Sequence, residues 1–273
     1  MDKINILIVG INSVFSKKLI SRLELEKSIN VFFKTHIKED IFDKNLNYYS
    51  INSINIDIVI FMSTLKKGLP IEIYESNIIY PLRLIDKLKK NPIIINIDTT
   101  AYEYRYNSYS HSKKIFKELL FINQYKSINL RIEHIYGYYP SENITSYLIK
   151  KMLENENIDL SSGKQIRNFI YIDDAIMAII KCIENIMQFS HNSTINIASN
   201  DKLSIKELAY TIKQLTNSKS NLNFDKIVID DSEFKLIDFD NTILKNLGWQ
   251  QKVNLLDGLK NEIKEVQNEI SKG

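Results

Sequence analysis

The chain has 273 residues, a net charge of +3 and a single cysteine, and its basic and acidic side chains are interspersed. This length can bury a large core, and it suits either one large α/β unit or a nucleotide-binding domain with a smaller appended lobe. The charge pattern argues against a nucleic-acid partner, one cysteine leaves no disulfide to form within the chain, and no apolar run reaches membrane-spanning length. We therefore expect a cytoplasmic protein with no nucleic-acid and no membrane partner.

The chain opens with the pattern of a strand, a turn and a helix. Residues 4–9 form a near-continuous apolar run, as in a parallel strand covered on both faces, and Gly10 ends it. Phe15, Leu19 and Leu23 then recur at helical spacing. Further strands are predicted at residues 29–33, 48–51, 57–62 and 93–97, and a long amphipathic helix at residues 71–88.

The alternation of strands and helices continues in the second half of the chain. A helix is predicted to begin near Tyr109, and it is followed by a sixth strand at residues 128–132. Beyond it, helices at residues 146–153, 175–186 and 205–215 alternate with strands at 167–172 and 194–198, and a last helix follows residue 254. Asp173 and Asp174 are predicted to cap the second of these helices, and Ser204 to form a capping box with Glu207. Six alternating strands predict a doubly wound parallel sheet.

A tyrosine and a lysine stand one helical turn apart at the start of the helix near residue 109. Tyr109 and Lys113 are four residues apart, and an ammonium at that distance in a site without water stabilises a phenolate, whose unperturbed pKa is about 10. Tyr109 is therefore a candidate proton donor or acceptor. The spacing alone is more often chance, since both residue types are common here. Upstream, the strand at 93–97 leads into Asp98, Thr99 and Thr100, which sets hydroxyls where open α/β sheets place their sites.

These stretches, together with residues 130–137 and 167–174 in the same order, resemble the extended short-chain dehydrogenase/reductase family of nucleotide-sugar epimerases, dehydratases and reductases. The resemblance runs almost from end to end. It implies a Rossmann-type dinucleotide-binding domain at residues 1–134, joined by part of 165–195. It also implies a smaller, interleaved substrate-binding region at residues 135–273. We expect the protein to form a homodimer.

The resemblance implies three catalytic residues. Tyr109 would pass a proton to or from a sugar oxygen, while Lys113 would lower the pKa of the tyrosine and hydrogen-bond the nicotinamide ribose. Thr100 would donate a hydrogen bond to the same oxygen. Thr100 has an aromatic residue, Tyr104, four positions beyond it as in relatives, and Thr99 does not. Only nine positions separate Thr100 from Tyr109, so a loop that is longer in relatives is short here.

The turn after the first strand is where this family binds a pyrophosphate. Relatives usually carry glycines at its first, fourth and seventh positions, and here only Gly10 remains, with Ser13 and Ser16 at the other two. Ser13 is small enough for close approach, and it is predicted to cap the helix. The residues predicted to bind the cofactor are Gly10, Asn12, Ser13, Val14, Phe15, Lys34, Met62, Ser63, Thr64, Asn77, Tyr109 and Lys113.

Lys34 bears on the choice of cofactor because it ends the predicted second strand. An acidic side chain there would bind the adenosine ribose of NAD, whereas a cation favours the extra phosphate of NADP. The alternative is a solvated strand end with the cofactor contact made elsewhere. We expect NADP, with NAD also possible.

The predicted substrate contacts come from both halves of the chain. They are Thr100, Tyr102, His134, Arg167 and Lys235. Basic side chains at positions 134, 167 and 235 suit a nucleotide-diphosphate sugar, although any of these three could instead be ordinary surface charge. The histidines show no spacing of metal ligands, so we expect no metal.

Three functions fit these residues. The first is an NAD(P)H-dependent reductase of a nucleotide-linked keto-sugar, which the compact chain, the short loop before Tyr109 and Lys34 favour. The second is an epimerase of the same family. A dehydratase is disfavoured because the Thr-Asp-Glu sequence of those enzymes is missing after Asp98. The third is a non-catalytic, cofactor-sensing protein that kept the fold. The serine-substituted turn argues for it, and the intact Thr100, Tyr109 and Lys113 argue against it.

Overall fold

The computed structural model describes residues 3–35, 40–132, 134–138, 140, 143–237 and 239–272. The chain folds into two compact units, each made of several segments. Unit 1 comprises Met1–Tyr102, Tyr106–Arg131 and Cys182–Ile195, and unit 2 comprises Glu103–Arg105, Ile132–Lys181 and Asn196–Gly273.

The strands and helices alternate through the first half of the chain. The strands are β1 (Ile4–Val9), β2 (Ile29–Lys34), β3 (Ile41–Asp43), β4 (Tyr48–Tyr49), β5 (Ile58–Phe61), β6 (Ile93–Thr99) and β7 (Ser127–Ile132). The helices are α1 (Val14–Leu23), α2 (Pro70–Tyr74), α3 (Tyr80–Asp86) and α4 (Ser108–Ile122), with a π-helical turn at Glu75–Ile79 and a 3-10 turn at Ala101–Glu103.

The second half of the chain has shorter strands. They are β8 (His134–Tyr136), β9 (Ile158–Asp159), β10 (Ile166–Tyr171), β11 (Ser193–Ile197), β12 (Lys202–Ser204) and β13 (Leu222–Asn223). The helices are α5 (Ile144–Leu153), α6 (Ile172–Glu184), α7 (Ile205–Thr216), α8 (Thr242–Asn246) and α9 (Leu255–Ile270), with 3-10 turns at Ile186–Gln188 and Asp231–Phe234. No helix within the described ranges combines the length and the apolar character that crossing a bilayer requires.

Within the described residues, an eight-stranded sheet runs in the order β11-β7-β6-β5-β1-β2-β3-β4. The pairs β2–β1, β1–β5 and β5–β6 are parallel, and Val9 lies opposite both Lys34 and Phe61. Parallel pairing brings the carboxyl ends of these strands to one edge, where ligands bind in such sheets. The α/β class and the mostly parallel sheet predicted from the sequence are confirmed.

The outer edge of this sheet differs from the prediction. The strand expected at residues 48–51 is only two residues long, and β3, which the sequence did not reveal, pairs antiparallel with both β2 and β4. The connection is a polar turn in which Asp43 Oδ1 accepts hydrogen bonds from the backbone N–H groups of Asn45 and Asn47. Two very short strands around such a turn carry too little apolar alternation to be recognised.

The helix expected at residues 71–88 is also interrupted. It consists of α2, the π-helical turn and α3, and the N–H of Tyr80 bonds to the carbonyl of Glu75, five residues earlier. Pro81 has no N–H to give to the carbonyl of Asn77, which is the α-helical acceptor four residues before it. The lost bond gives a physical reason for the wider turn at this point.

In unit 2, helix α6 begins earlier than the sequence indicated. It starts at Ile172, so Asp173 and Asp174 lie in its first turn and the predicted capping role is wrong. The Asp174 carboxylate instead accepts hydrogen bonds from the backbone N–H groups of Lys252 and Val253, at 3.0 and 2.9 Å. Trp249 Nε1 donates to the Asp174 carbonyl at 3.0 Å. Asp174 therefore fixes the chain before α9 against α6.

Helix α9 is held in unit 2 by a buried carboxylate. Glu262 accepts hydrogen bonds from Thr145 Oγ1 at 3.0 Å, Ser146 Oγ at 2.5 Å and the N–H of Gly137 at 3.1 Å. Burial raises the pKa of Glu262 to about 7, although these three donors oppose the change. One side chain thus ties α9 to the start of α5 and the end of β8.

Candidate active site

Three of the predicted cofactor segments meet at the carboxyl edge of the large sheet. The N–H of Gly10 donates to the carbonyl of Lys34 at 3.1 Å, and the N–H groups of Met62 and Ser63 both donate to the carbonyl of Val9 at 2.9 Å. Gly10 has a φ of +91°, and a Cβ added there would lie 2.4 Å from Ser63 N. The turn after β1 therefore requires glycine at this position.

The rest of this turn is closed by the two serines that replace glycines of the family pattern. Ser13 caps α1 by accepting a hydrogen bond from the N–H of Ser16 at 3.0 Å, and Ser16 Oγ donates to the Ser13 carbonyl at 2.9 Å. Capping by Ser13 is thus confirmed. Asn12 and Ser13 are exposed, whereas the Phe15 side chain is buried. Phosphate binding by this helix start stays a prediction.

Lys34 is the last residue of β2, and its side chain is only 4% exposed. The alternative of a solvated strand end is therefore wrong for the side chain itself. Met62, Ser63 and Thr64 follow β5 and are half-buried at the same edge. The preference of Lys34 for a 2′-phosphate stays a prediction.

Asn77 lies in the π-helical turn and uses its side chain to join two segments. Its Oδ1 accepts from the N–H of Leu65 at 2.8 Å, and its Nδ2 donates to the Leu65 carbonyl and to Ser112 Oγ, each at 2.9 Å. Ser112 Oγ in turn donates to the carbonyl of Tyr109 at 2.7 Å. The side chain of Asn77 therefore positions the turn of α4 that carries Tyr109 and Lys113, and its direct contact with a cofactor stays a prediction.

Helix α4 begins with a cap that the sequence reasoning missed. Asn107 Oδ1 accepts from the N–H of Ser110 at 2.9 Å, and Ser110 Oγ accepts from the N–H of Asn107 at 3.2 Å. This reciprocal pair is a capping box with asparagine and serine in the two positions. It sets Tyr109, which is half-buried, in the first turn of the helix.

Lys113 is buried one turn later and points to strand β6. Its Nζ donates to the Ile97 carbonyl at 2.6 Å and to Asn96 Oδ1 at 3.2 Å. Asn96 is held in turn, because its Nδ2 donates to Asn129 Oδ1 at 2.9 Å. Burial lowers the pKa of Lys113, and the charge of Asp98 acts in the opposite direction.

The strand that carries Thr100 runs farther than the sequence suggested. It ends at Thr99, so Asp98 belongs to β6, and Thr100 follows it directly. Asn96 and Asp98 are buried at alternate positions of β6, which places them on one face of the strand, and Thr100, two residues further on, is buried as well. Thr100 Oγ1 and Asp98 Oδ1 are buried and have no hydrogen-bond partner among the described residues. Two such oxygens, on residues two positions apart in the sequence, call for a physical explanation.

Tyr102 is part of a charged cluster around Asp98. The Tyr102 hydroxyl donates to Asp98 Oδ2 at 2.9 Å, and Lys117 Nζ lies 3.7 Å from the same oxygen. Lys117 also donates to the Tyr102 hydroxyl at 3.3 Å. The hydroxyl predicted to contact substrate is thus bound to a carboxylate, and its substrate contact stays a prediction.

The other predicted substrate residues lie in unit 2, and both cations have acidic partners. Arg167 is buried, donates to Glu233 Oε2 at 3.0 Å and stacks over the Tyr104 ring at 4.2 Å. Lys235 lies 3.5 Å from Glu103. Ordinary solvated charge is therefore wrong for Arg167, whereas Lys235 is exposed. His134 begins β8 and packs against the Phe169 ring, with 5.3 Å between ring centroids.

Sequence reasoning missed Glu233 and Arg105. Arg105 Nε donates to Glu233 Oε1 at 2.9 Å, so this carboxylate bridges two arginines. Ser232 Oγ also donates to the Tyr104 carbonyl at 2.8 Å. The segment Glu103–Arg105, which begins three residues after Thr100, is thus held by hydrogen bonds to the turn at Asp231–Phe234. These partners are 128 residues apart in sequence, so no local pattern reveals them.

An open, mostly parallel α/β sheet, with a glycine turn, a capped first helix and a Tyr–Lys pair beside its carboxyl edge, defines a Rossmann-type dinucleotide-binding protein. The model of the NAD dependent epimerase/dehydratase family matches residues 21–198. The chain belongs to this family, as the resemblance of its motifs to the extended short-chain dehydrogenases/reductases implied. A nicotinamide dinucleotide is accordingly its cofactor.

Individual proteins agree with this assignment. CDP-abequose synthase of Salmonella muenchen is 31% identical over 225 residues, which cover 77% of this chain and 76% of that one. Among solved structures, UDP-glucose 4-epimerase of Thermotoga maritima with UDP-glucose has a TM-score of 0.77 at 20% identity, covering 98% of this chain and 100% of that one. RMD of Pseudomonas aeruginosa complexed with NADPH has a TM-score of 0.76 at 12% identity, with coverage of 98% and 100%. At these identities the two structures support the fold alone.

Proposed function

We propose that the protein is an NAD(P)H-dependent reductase of a nucleotide-linked keto-sugar. The observation that carries the proposal is the buried Lys113 side chain one helical turn from Tyr109, beside strand β6. Thr100 follows this strand, and its hydroxyl has no hydrogen-bond partner among the described residues. The relative that is 31% identical is named for CDP-abequose, a CDP-linked sugar, and this favours a nucleotide-linked substrate.

The residues present suit the cofactor of the family. Gly10 leaves the turn after β1 without a side chain, and the exposed start of α1 offers backbone N–H groups to a pyrophosphate. The bound dinucleotide supplies the hydride that reduces the carbonyl carbon. Thr100 Oγ1 is already desolvated and has no protein acceptor among the described residues, so a substrate oxygen is a suitable partner for its proton.

Tyr109 and Lys113 provide the acid chemistry. In the reduction, the Tyr109 hydroxyl gives its proton to the carbonyl oxygen as that oxygen gains negative charge, which leaves an alcohol and a tyrosinate. Lys113 stabilises the tyrosinate by its charge, and solvent returns the proton to Tyr109. Thr100 donates a hydrogen bond to the same oxygen and lowers the barrier further.

The test of this assignment is turnover with a panel of keto-sugar nucleotides under NADH and NADPH. Tyr109→Phe is expected to lower kcat by about 10²- to 10⁴-fold and to leave cofactor affinity nearly unchanged, since it removes a transferable proton and no binding surface. Tyr106→Phe changes a highly exposed tyrosine just before α4; it is the matched control and should keep wild-type kcat. Wild-type kcat in Tyr109→Phe would refute the catalytic assignment.

Lys113→Met separates the two roles of the lysine. We expect weaker cofactor binding as well as slower turnover, because the ammonium is asked to contact the ribose and to stabilise the tyrosinate. The measurement is a cofactor titration beside the kcat determination. An effect on turnover alone would remove the ribose contact.

An epimerase is the alternative within the same family. The family description includes epimerases, and the same three side chains serve either reaction. An epimerase would retain its dinucleotide through purification and turn over without added nicotinamide. A chain that binds the cofactor and turns over no nucleotide sugar would instead be a cofactor sensor.

We also propose that NADPH binds more tightly than NADH, because Lys34 ends β2 at the cofactor edge. A charge-assisted hydrogen bond to a 2′-phosphate is worth about 1.5 to 3 kcal/mol, or roughly ten- to a hundredfold in affinity. Lys34→Ala should narrow this gap chiefly by weakening NADPH, whereas Lys89→Ala, an exposed lysine after α3, should not. Equal affinities in the wild type, or an unchanged gap in Lys34→Ala, would refute the preference.

The homodimer also stays a proposal. Exposed apolar side chains on the helical surface of unit 1 support it: Ile71 and Ile79 on the interrupted helix, and Phe121 and Ile122 at the end of α4. Sedimentation at several protein concentrations measures the assembly state, and a monomer at all of them would exclude the dimer.

A further inference from the structure

Strand β6 presents a buried polar face to helix α4, and the proposed chemistry uses only part of it. Asn96, Asp98 and Thr100 occupy alternate positions, and Lys113 of α4 bonds to Asn96 Oδ1 and to the carbonyl of Ile97. Both of these acceptors are neutral. Asp98 is the next residue along the strand, and it is an acid on the face that receives a buried ammonium.

A buried ammonium needs a counter-charge to remain charged. Transfer of an isolated charge out of water is so unfavourable that the group gives up its proton instead. Burial lowers the pKa of Lys113, and the Asp98 carboxylate is the charge that opposes this change. Burial likewise raises the pKa of Asp98, and the charges of Lys113 and then Lys117 oppose that change.

We propose that Asp98 is a positioning residue that supplies the counter-charge for Lys113 and keeps this buried side chain an ammonium at working pH. Asp98 is within contact of the Tyr102 hydroxyl and of Lys117 Nζ, and the charge of Lys113 and the backbone N–H of Thr99 also favour its ionised form. Lys117 is partly exposed, so water already screens its charge, whereas Lys113 is buried. The side chain that depends most on Asp98 is therefore the one that also serves Tyr109.

The geometry assigns the two oxygens of Asp98 to different tasks. Oδ2 is held by the Tyr102 hydroxyl and the nearby Lys117, which fixes the orientation of the carboxylate. Oδ1 is buried and has no hydrogen-bond partner in the described part of the chain.

The proposal rests on the proposed function only where it takes Lys113 to contact the nicotinamide ribose. It is tested by the pH dependence of NADH binding, because NADH lacks the 2′-phosphate that titrates near neutral pH. In the wild type, the affinity for NADH should fall at alkaline pH as Lys113 loses its proton; we call this part of the pH profile the alkaline limb. Lys113→Met should lack it.

Asp98→Asn is the decisive variant, since it removes the charge and keeps the shape. We expect the alkaline limb to move to lower pH by about one unit or more, which is roughly a tenfold loss of NADH affinity within that window. In a Lys113→Met background the same substitution should change NADH affinity little, because the cation on which it acts is gone. Asp98→Ser, which is smaller and also uncharged, should give the same displacement if the amide variant folds poorly.

Tyr102→Phe is the matched control, because it removes a hydrogen bond from Asp98 Oδ2 and leaves the charge. Its alkaline limb should stay close to that of the wild type. An unmoved limb in a folded Asp98→Asn or Asp98→Ser protein would overturn the proposal, and so would an equal displacement in Tyr102→Phe. Failure of the reductase assignment would be seen separately, as absence of turnover with normal NADH binding.

Discussion

Gly10→Ala is expected to destabilise the protein by two separable effects. The first is conformational, because a φ of +91° lies in the region that L-residues avoid, at a cost of about 1–2 kcal/mol. The second is steric, because the new Cβ would lie 2.4 Å from Ser63 N and 2.5 Å from Ser63 Cα, which are backbone atoms. Moving that backbone away breaks the two hydrogen bonds to the Val9 carbonyl, at about 0.5–1.5 kcal/mol each. The total loss is about 2–5 kcal/mol.

Gly248→Ala isolates the first effect. Gly248 has a φ of +78°, and nothing lies within 4 Å of an added Cβ, so only the conformational cost of about 1–2 kcal/mol applies. Urea denaturation of both variants gives the difference in the free energy of unfolding. Native-state hydrogen exchange supplies the local readout, because the amides of Met62 and Ser63 should lose protection in Gly10→Ala alone.

Cofactor titration completes the comparison. Gly10→Ala should weaken binding of either dinucleotide, since the turn and the segment after β5 must separate, whereas Gly248→Ala should bind like the wild type. The reasoning is refuted if the two variants lose the same stability, or if the amides of Met62 and Ser63 stay protected in Gly10→Ala.

Three further predictions concern residues outside the reacting centre. Burial raises the pKa of Glu262 from 4.5 to about 7, so the folded state retains a proton that the unfolded chain releases. The free energy of unfolding should therefore fall by up to about 3 kcal/mol as the pH rises from about 4.5 to about 7. In Glu262→Gln, denaturation at several pH values should show a smaller dependence of this free energy on pH. Arg167→Lys should lower the free energy of unfolding by about 1–3 kcal/mol, because it removes the stacking on the Tyr104 ring and hydrogen bonds to Glu233. The control is Arg83→Lys at an exposed arginine, which should leave the free energy of unfolding unchanged. Asn77→Leu should lower kcat more than it weakens cofactor binding, because it releases the α4 turn of Tyr109; the reverse order would indicate a direct cofactor contact.

The central sheet could be predicted because its strands are buried on both faces. Residues 4–9 form an uninterrupted apolar run, and the structure places β1 at those residues. The antiparallel edge could not be predicted in the same way. Its strands β3 and β4 are three and two residues long, and the polar turn that joins them looks like an ordinary loop.

The helix around Asn77 shows a different limit. Its apolar spacing correctly predicts a helical segment, but spacing alone does not distinguish an α-helical turn from a π-helical one. Pro81 was a visible signal, since it cannot donate to the carbonyl four residues earlier. What the wider turn achieves, a bond from Asn77 to Ser112 on α4, depends on a contact 35 residues away.

The candidate site could be predicted from the sequence only by considering two segments together, the end of β6 and the start of α4. Residues 96, 98 and 100 are polar at alternate positions, which by itself is typical of a strand with one face in water. Tyr109 and Lys113 by themselves are a common helical spacing. A strand face that is polar and buried needs a polar partner, and Lys113 on the helix across it is that partner. An unpaired buried charge is costly, and the charge of Asp98 opposes the effect of burial on the pKa of Lys113, which is why we propose that these two residues act together.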